Sequence, residues 1–267
     1  MTYFGFLTFF LGIPLVILGG LTWYDHYRRK KLAPMLQNWP ASVVVLILIV
    51  IAVVYTTPWD NYLVATNVWW YDPRLVTGVV WGWVPIEEYT FFVVQTLFTG
   101  LWLLYLARHL SISPVRPPYR PKLRWSSTLA VGGIWLASVV ILAIGWQAGT
   151  YLGLELVWAL PPIMLQLAFG ADILWHYRRL VLWVIIPTTL YLSLADTLAI
   201  NAGTWTIDPV QSLNLFLWGG LPVEEFIFFL LTNTLITFGM VLGLVNESKA
   251  RLPKALARVN RQLVESI

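Results

Sequence analysis

Two adjacent glutamate pairs, Glu87-Glu88 and Glu224-Glu225, stand in an otherwise apolar chain. Each opens a matching phrase, Pro85-Ile86-Glu87-Glu88 and Pro222-Val223-Glu224-Glu225. Proline suits the first position of a helix, where its missing N–H costs nothing. The glutamates then fall in the first turn, where the helix dipole favours negative charge. Helix-start charge would be enough to explain one of them. The segments leading in, 75–84 and 210–221, are themselves apolar, so both pairs are expected under protein or lipid. An ionisable group at such depth is a functional candidate. Two neighbouring carboxyls out of water cannot both ionise cheaply, so one of each pair should keep a proton that it can donate.

Residues i and i+1 project about 100° apart on a helix, so the two members of a pair need not share a pocket. Glu88 lies on the face of Phe91, Phe92 and Gln95, and Glu225 on that of Phe228 and Phe229. An acid above aromatic rings suits the making and shielding of a carbocation, because ring faces attract cations. Asp60, Asn61, Tyr89 and Asp196 are supporting candidates. Asp72 and Asp208, each before a proline, read as turn caps. Trp59, Trp69 and Trp70 fit the aromatic belt of a bilayer interface.

The elements that must position these groups are membrane helices. Of 267 residues, 58% are hydrophobic and 11% charged, with mean hydropathy +0.72. Soluble domains carry about 25% charged residues. From Leu32 to Ala107 the only charges are Asp60, Asp72, Arg74, Glu87 and Glu88, which excludes a water-soluble enzyme. A crossing helix needs about 20 apolar residues, and seven runs qualify: 2–24, 41–58, 82–107, 127–147, 152–175, 180–196 and 213–245. The first has no basic residues before it and reads as a span rather than a cleaved signal. Cysteine is absent, so there is no disulfide framework, thiolate nucleophile or iron–sulfur cluster. The sequence pI near 9.3 does not indicate nucleic acid, because the basic residues form short clusters between spans. In a seven-span chain sixteen of the seventeen Lys/Arg fall on one face, Arg74 being the exception. The positive-inside rule makes that face cytoplasmic, with the N-terminus outside and the C-terminus inside.

The chain also repeats itself. His26-Tyr-Arg-Arg returns as His176-Tyr-Arg-Arg, and Asp60…Trp69…Asp72-Pro73 as Asp196…Trp205…Asp208-Pro209. Trp81-Gly82…Phe91-Phe92 returns as Trp218-Gly219…Phe228-Phe229. The expected architecture is therefore all-α and integral to the membrane: seven transmembrane helices as two parallel three-helix repeats joined by a linking helix. The units are 1–107, a basic loop with the linking helix over 108–151, 152–245, and a basic tail over 246–267.

On Pro-Trp-Asp-Asn-Tyr (58–62), Trp-Trp-Tyr-Asp-Pro (69–73) and Pro-Ile-Glu-Glu-Tyr-Thr-Phe-Phe (85–92), the sequence resembles the small integral-membrane lycopene cyclases. That family occurs as two three-span subunits or as one fused chain with a linking span, and the resemblance covers residues 1–245. It implies a fused carotenoid cyclase in which Glu87, Glu88, Glu224 and Glu225 match the family's essential acids. The second half departs from the first in Thr197 for Asn61 and Phe226 for Tyr89. The implied reaction is redox-neutral. An acid protonates the terminal double bond of lycopene, the neighbouring double bond closes a six-membered ring, and a base removes a ring proton, β-type rings being expected. Rossmann and Walker fingerprints are absent, so no cofactor or metal is expected. A small transporter of three-plus-one-plus-three plan is the rival reading, but the spans are nearly bare of polar residues apart from Gln95, Gln166 and Asn233. A membrane prenyltransferase would want basic groups beside its aspartates, where only Arg74 stands. A retinal photoreceptor would need a lysine within a span, and none is there.

Overall fold

The computed structural model describes residues 1–112 and 115–251. Among the described residues seven helices are long and apolar enough to cross a membrane: α1 (Tyr3–Tyr27), α2 (Ala41–Ala65), α3 (Ile86–His109), α4 (Pro121–Ala143), α5 (Gln147–His176, opening on one 3₁₀ turn), α6 (Arg178–Asn201) and α7 (Val223–Leu244). The protein is a multi-pass membrane protein. The part of the expected basic tail beyond Arg251, with Lys254, Arg258 and Arg261, lies outside the described residues.

Lipid, rather than side-chain propensity, dictates these helices. The run Val43-Val-Val-Leu-Ile-Leu-Ile-Val-Ile in α2 is rich in β-branched residues and would read as a strand in water. In hydrocarbon every backbone N–H and C=O must be satisfied within its own segment, so the run is helical. For the same reason α2 continues through Pro58 to Ala65, past the expected end at 58, and carries Asp60 on its last turns. Likewise α6 runs to Asn201 rather than 196, and carries Asp196.

The third and seventh spans start later than expected. Residues 75–85 and 213–222 are apolar but not α-helical; each forms a short hairpin over the bundle end, the second with a 3₁₀ turn over Trp218–Gly220. Val80–Trp81 (β2) pairs with Val84–Pro85 (β3), and Phe216 bridges to Pro222. Both turn on glycines with positive φ, 71° at Gly82 and 65° at Gly219. A side chain at Gly82 would also collide with Asn61 Oδ1. Such backbone is tolerated at membrane depth only where protein satisfies it, and carboxylates do so here. Glu87 Oε1 accepts from the Thr77 N–H (2.6 Å), and Glu224 Oε1 from the Leu213 N–H (2.7 Å).

The glutamate-bearing α3 and α7 pack on each other at the centre, each 61% buried, whereas the linking α4 is 11% buried and packs on α5. The two halves are also joined by a small antiparallel sheet, β1 (Trp69–Tyr71) with β4 (Trp205–Ile207). Its central pair is Trp70 with Thr206, which hold the same place in their respective halves. A pseudo-twofold axis therefore passes between them and down between α3 and α7. The acidic hairpins and this sheet sit at one end of the bundle, and the Arg/Lys clusters of the described chain at the other.

Candidate active site

Beneath the β1/β4 sheet is a pocket that draws on both halves. Four carboxyl side chains line it: Asp60 from α2, Glu88 from α3, Asp196 from α6 and Glu225 from α7. Asp60, Asp196 and Glu225 are buried, and Glu88 is partly open to the cavity. Phe91, Phe92, Phe228 and Phe229 form the wall below them, Phe91 and Phe229 meeting edge to face at 6.2 Å. Trp59 stacks on Trp158 (4.4 Å) and lies parallel to Phe228 (6.1 Å). Tyr3 and Phe6 pack on Trp205 at 4.9 and 5.2 Å and close the other side.

The carboxyls are unequally furnished with hydrogen bonds. Glu88 Oε2 accepts from two phenols, Tyr3 (2.5 Å) and Tyr71 (3.0 Å), and the Trp69 indole N–H donates to the Tyr71 oxygen (3.2 Å). Glu225 Oε1 accepts from Tyr151 (2.7 Å). Tyr151 stands where Tyr3 stands in the first half, but the counterpart of Tyr71 is Ile207, which has nothing to donate. Both oxygens of Asp60 are buried without a hydrogen bond among the described residues. The same holds for Asp196, which lines the pocket together with Glu88, Glu225 and Trp205. Burial, and then the Glu88 carboxyl, pushes the Tyr71 hydroxyl well above the usual phenol range, which keeps it an O–H donor.

The other sequence candidates lie outside the pocket. Glu87 and Glu224 point the opposite way and hold the hairpins. Asn61 and Tyr89 do similar work: Asn61 Oδ1 accepts from the Trp83 N–H (2.7 Å), its amide donates to Tyr89 Oη (2.9 Å), and Tyr89 donates to Trp81 O (2.7 Å). The second half replaces this network with Asn201, whose amide donates to Gly219 O (3.1 Å). Gln95 donates to Thr232 Oγ1 (2.8 Å) below the phenylalanines. Asp72 and Asp208 cap turns through the N–H groups of Arg74 (2.9 Å) and Val210 (3.0 Å). The Arg74 guanidinium and backbone hold the Asp72 carboxyl down at about 2.

Sequence reasoning missed Tyr3, Phe6, Tyr71, Tyr151 and Trp205 as pocket residues, and assigned Trp59 and Trp69 to the bilayer interface. It also passed over Glu155, buried on α5 one turn after Tyr151, with both carboxyl oxygens lacking a hydrogen-bond partner among the described residues. Extending the repeat upstream from His26 and His176 brings Tyr151 within two residues of the position matching Tyr3, and the matching backbone bonds of Tyr3 to Leu75 O and of Tyr151 to Gln211 O complete the correspondence. Among the described residues no three His, Cys, Asp or Glu side chains converge as metal ligands. The arrangement suits proton transfer within an apolar, ring-lined space.

No protein-family profile matches the chain, and no solved structure matches it. Curated relatives do. A lycopene beta-cyclase of Halobacterium salinarum is 36% identical over 245 residues, covering 90% of this chain and 95% of that protein. A bifunctional lycopene cyclase/phytoene synthase of Phaeosphaeria nodorum is 42% identical over 209 residues, 74% of this chain but 35% of that larger protein. A protein of the same description from Aspergillus oryzae is 38% identical over 198 residues, 73% of this chain and 33% of its own. With that identity over nearly the full length of both proteins, the chain belongs to the lycopene beta-cyclase family.

Proposed function

We propose that this pocket closes β-type rings at the linear ends of lycopene, as an isomerase in carotenoid biosynthesis. The observation that carries the reading is the meeting of four carboxyl groups, two from each half, above paired phenylalanines. One carboxyl gives its proton to the terminal double bond. The neighbouring double bond attacks the cation and closes the six-membered ring, and a carboxylate takes a proton from the ring carbon beside it. Nothing is oxidised or reduced, and the pocket ends with as many protons as it began. The ring faces of Phe91, Phe92, Phe228 and Phe229 favour the cation, and the apolar wall keeps out water that would trap it as an alcohol.

Hydrogen bonding separates the roles. A carboxyl that accepts more hydrogen bonds carries negative charge more readily. Glu88, with two phenol donors, is the base that takes the ring proton. Glu225, with one, is the donor, and Asp196, which lines the same pocket, returns the proton between them. Glu87 and Glu224 hold the hairpins that lead into α3 and α7.

Purified protein in lipid, given lycopene with EDTA and no nicotinamide, flavin or ATP, is expected to form ring-bearing product. A stoichiometric demand for reductant, or activity restored only by magnesium, would contradict the redox-neutral mechanism.

The carboxyl-bearing end faces outward and the basic end the cytoplasm, a reading supported by the one-sided Lys/Arg distribution. The chain has no native cysteine. Arg74→Cys is therefore expected to be labelled from outside intact cells, and Arg116→Cys only after permeabilisation. Labelling of both from one side would contradict the orientation.

A further inference from the structure

A second cavity, of about 270 Å³, opens directly below the acid pocket and shares Phe92 and Phe228 with it. It lies in the furrow between α2 and α5, with α7 as its floor. Helix α2 packs on α3 and α7, and α5 on α4 and α7. The two meet at the top of the furrow, where the Tyr55 hydroxyl donates to Trp158 O (2.9 Å) and the Trp59 indole to Leu154 O (3.1 Å).

The furrow runs along the bundle. On α2 it extends from Thr56 to Leu48, on α5 from Trp158 to Gln166, and on α7 from Phe228 to Ile236. At 1.5 Å rise per residue each stretch is about 12 Å long, and each starts at the acid end. Its lining is mostly apolar, and its polar groups are largely engaged by the protein: Thr96 and Thr232 donate to the carbonyls of Phe92 and Phe228, Gln95 to Thr232 and Gln166 to Leu235 O, which leaves Gln166 Oε1 without a partner among the described residues. At the side, Ile51 (52% exposed) and Leu165 (72%) open it to hydrocarbon. The corresponding position of the other half, between α1 and α6, carries a larger side chain. There Phe98 stands in the place of Leu235, with its ring 5.5 Å from Tyr191.

We infer that this furrow is the berth for the unreacted polyene chain, which enters from the bilayer between α2 and α5 and presents one end to the acids. The inference rests on the reading of the pocket as a cyclase site and adds a subsite to it. A polyene nearly as long as the hydrocarbon core is thick (about 30 Å) cannot fit beneath the sheet, so most of it must lie along an apolar surface continuous with the pocket. The furrow between α2 and α5 has that continuity and an open side. With the Phe98 ring set against Tyr191 on the other side, the two ends of a substrate are handled one after the other by the same route.

Because the chain lacks cysteine, a single thiol can probe the berth without disturbing the fold. Ala52→Cys lies on the furrow wall, and Val54→Cys on the same helix faces lipid (67% exposed). Lycopene is expected to slow modification of Ala52→Cys, but not of Val54→Cys, by a membrane-permeant aromatic methanethiosulfonate. The adduct at Ala52→Cys should lower lycopene turnover roughly tenfold or more, about what a misfit of one or two methylenes costs in an apolar site. Reduction of the adduct should restore turnover in the same folded protein. Equal labelling with and without lycopene, or full turnover of the modified Ala52→Cys protein, would overturn the berth. If the unmodified chain forms no rings at all, the cyclase reading fails, and protection of the thiol still decides whether a polyene lies in the furrow.

Discussion

Glu88→Gln and Glu225→Gln should each slow ring formation roughly 10²–10⁴-fold at normal membrane abundance, the usual loss when a general acid or base is removed. Glutamine keeps the size of the side chain and can still accept from Tyr3 and Tyr71, or from Tyr151, so the pocket should keep its shape. An amide supplies no acidic proton and takes none. Glu87→Gln and Glu224→Gln make the informative contrast. Their work is to accept one backbone N–H each, from Thr77 and Leu213, and an amide oxygen does the same. Their cost is expected to be on the order of 1 kcal/mol in stability with little change in turnover. The check is pigment conversion by all four variants in lycopene-accumulating cells, normalised to protein in the membrane. Large losses at Glu87 and Glu224 with full activity at Glu88 and Glu225 would invert the assignment.

The largest effect on stability is expected at the opposite end of the bundle. Arg251 makes a two-pronged contact with Asp172 of α5, Nη1 to Oδ1 at 2.7 Å and Nη2 to Oδ2 at 2.9 Å, and also donates to Phe169 O. The Asp172 side chain is fully buried and accepts two backbone N–H groups as well, from Arg120 and Ile173. Removing the partner of a buried charge costs about 3–5 kcal/mol, and the two remaining N–H donors place this case at about 3. Arg251→Ala is expected to unfold correspondingly earlier in a micellar denaturation series. Arg251→Lys should recover only part, because an ammonium cannot match both carboxylate oxygens. Unchanged stability in Arg251→Ala would show the tie to be dispensable.

Most of the scaffold was legible because a bilayer imposes one rule on any long apolar run. The errors fall where that rule is modified. Pro58 and Asp60 read as the end of a span, yet a helix in lipid bends around proline rather than stopping, and Asp60 reaches the pocket because α2 does not stop. Residues 213–222 read as the start of a span because they are apolar. The positive-φ glycines at 219 and 220 and the reach of Glu224 to Leu213 make them a hairpin instead.

In the site, the helical spacing of Glu88 with Phe91 and Phe92, and of Glu225 with Phe228 and Phe229, was enough to mark one member of each pair. The tyrosines were not legible in the same way. A lone Tyr near a span end is ordinary interfacial chemistry, and Tyr71 lies in a strand whose pairing partner, Trp205–Ile207, is more than a hundred residues away. Tyr3 reaches Glu88 and Tyr151 reaches Glu225 within their own halves, but across 85 and 74 residues of sequence, which helical spacing does not reveal. Trp59 and Trp69 were misplaced at the bilayer surface because their partners, Trp158 and Tyr151, come from the other half.

The central claim is that the two halves build one acid–base centre rather than one each. Groups that act as a unit are strongly non-additive, because losing either removes the function of both. The decisive measurement is lycopene turnover by Glu88→Gln, Glu225→Gln and the double variant in purified form, side by side. A single shared centre requires each single variant to fall by orders of magnitude and the double to be scarcely worse than either. Single variants that each retain roughly half the activity, with loss only in the double, would mean two independent sites and contradict the account.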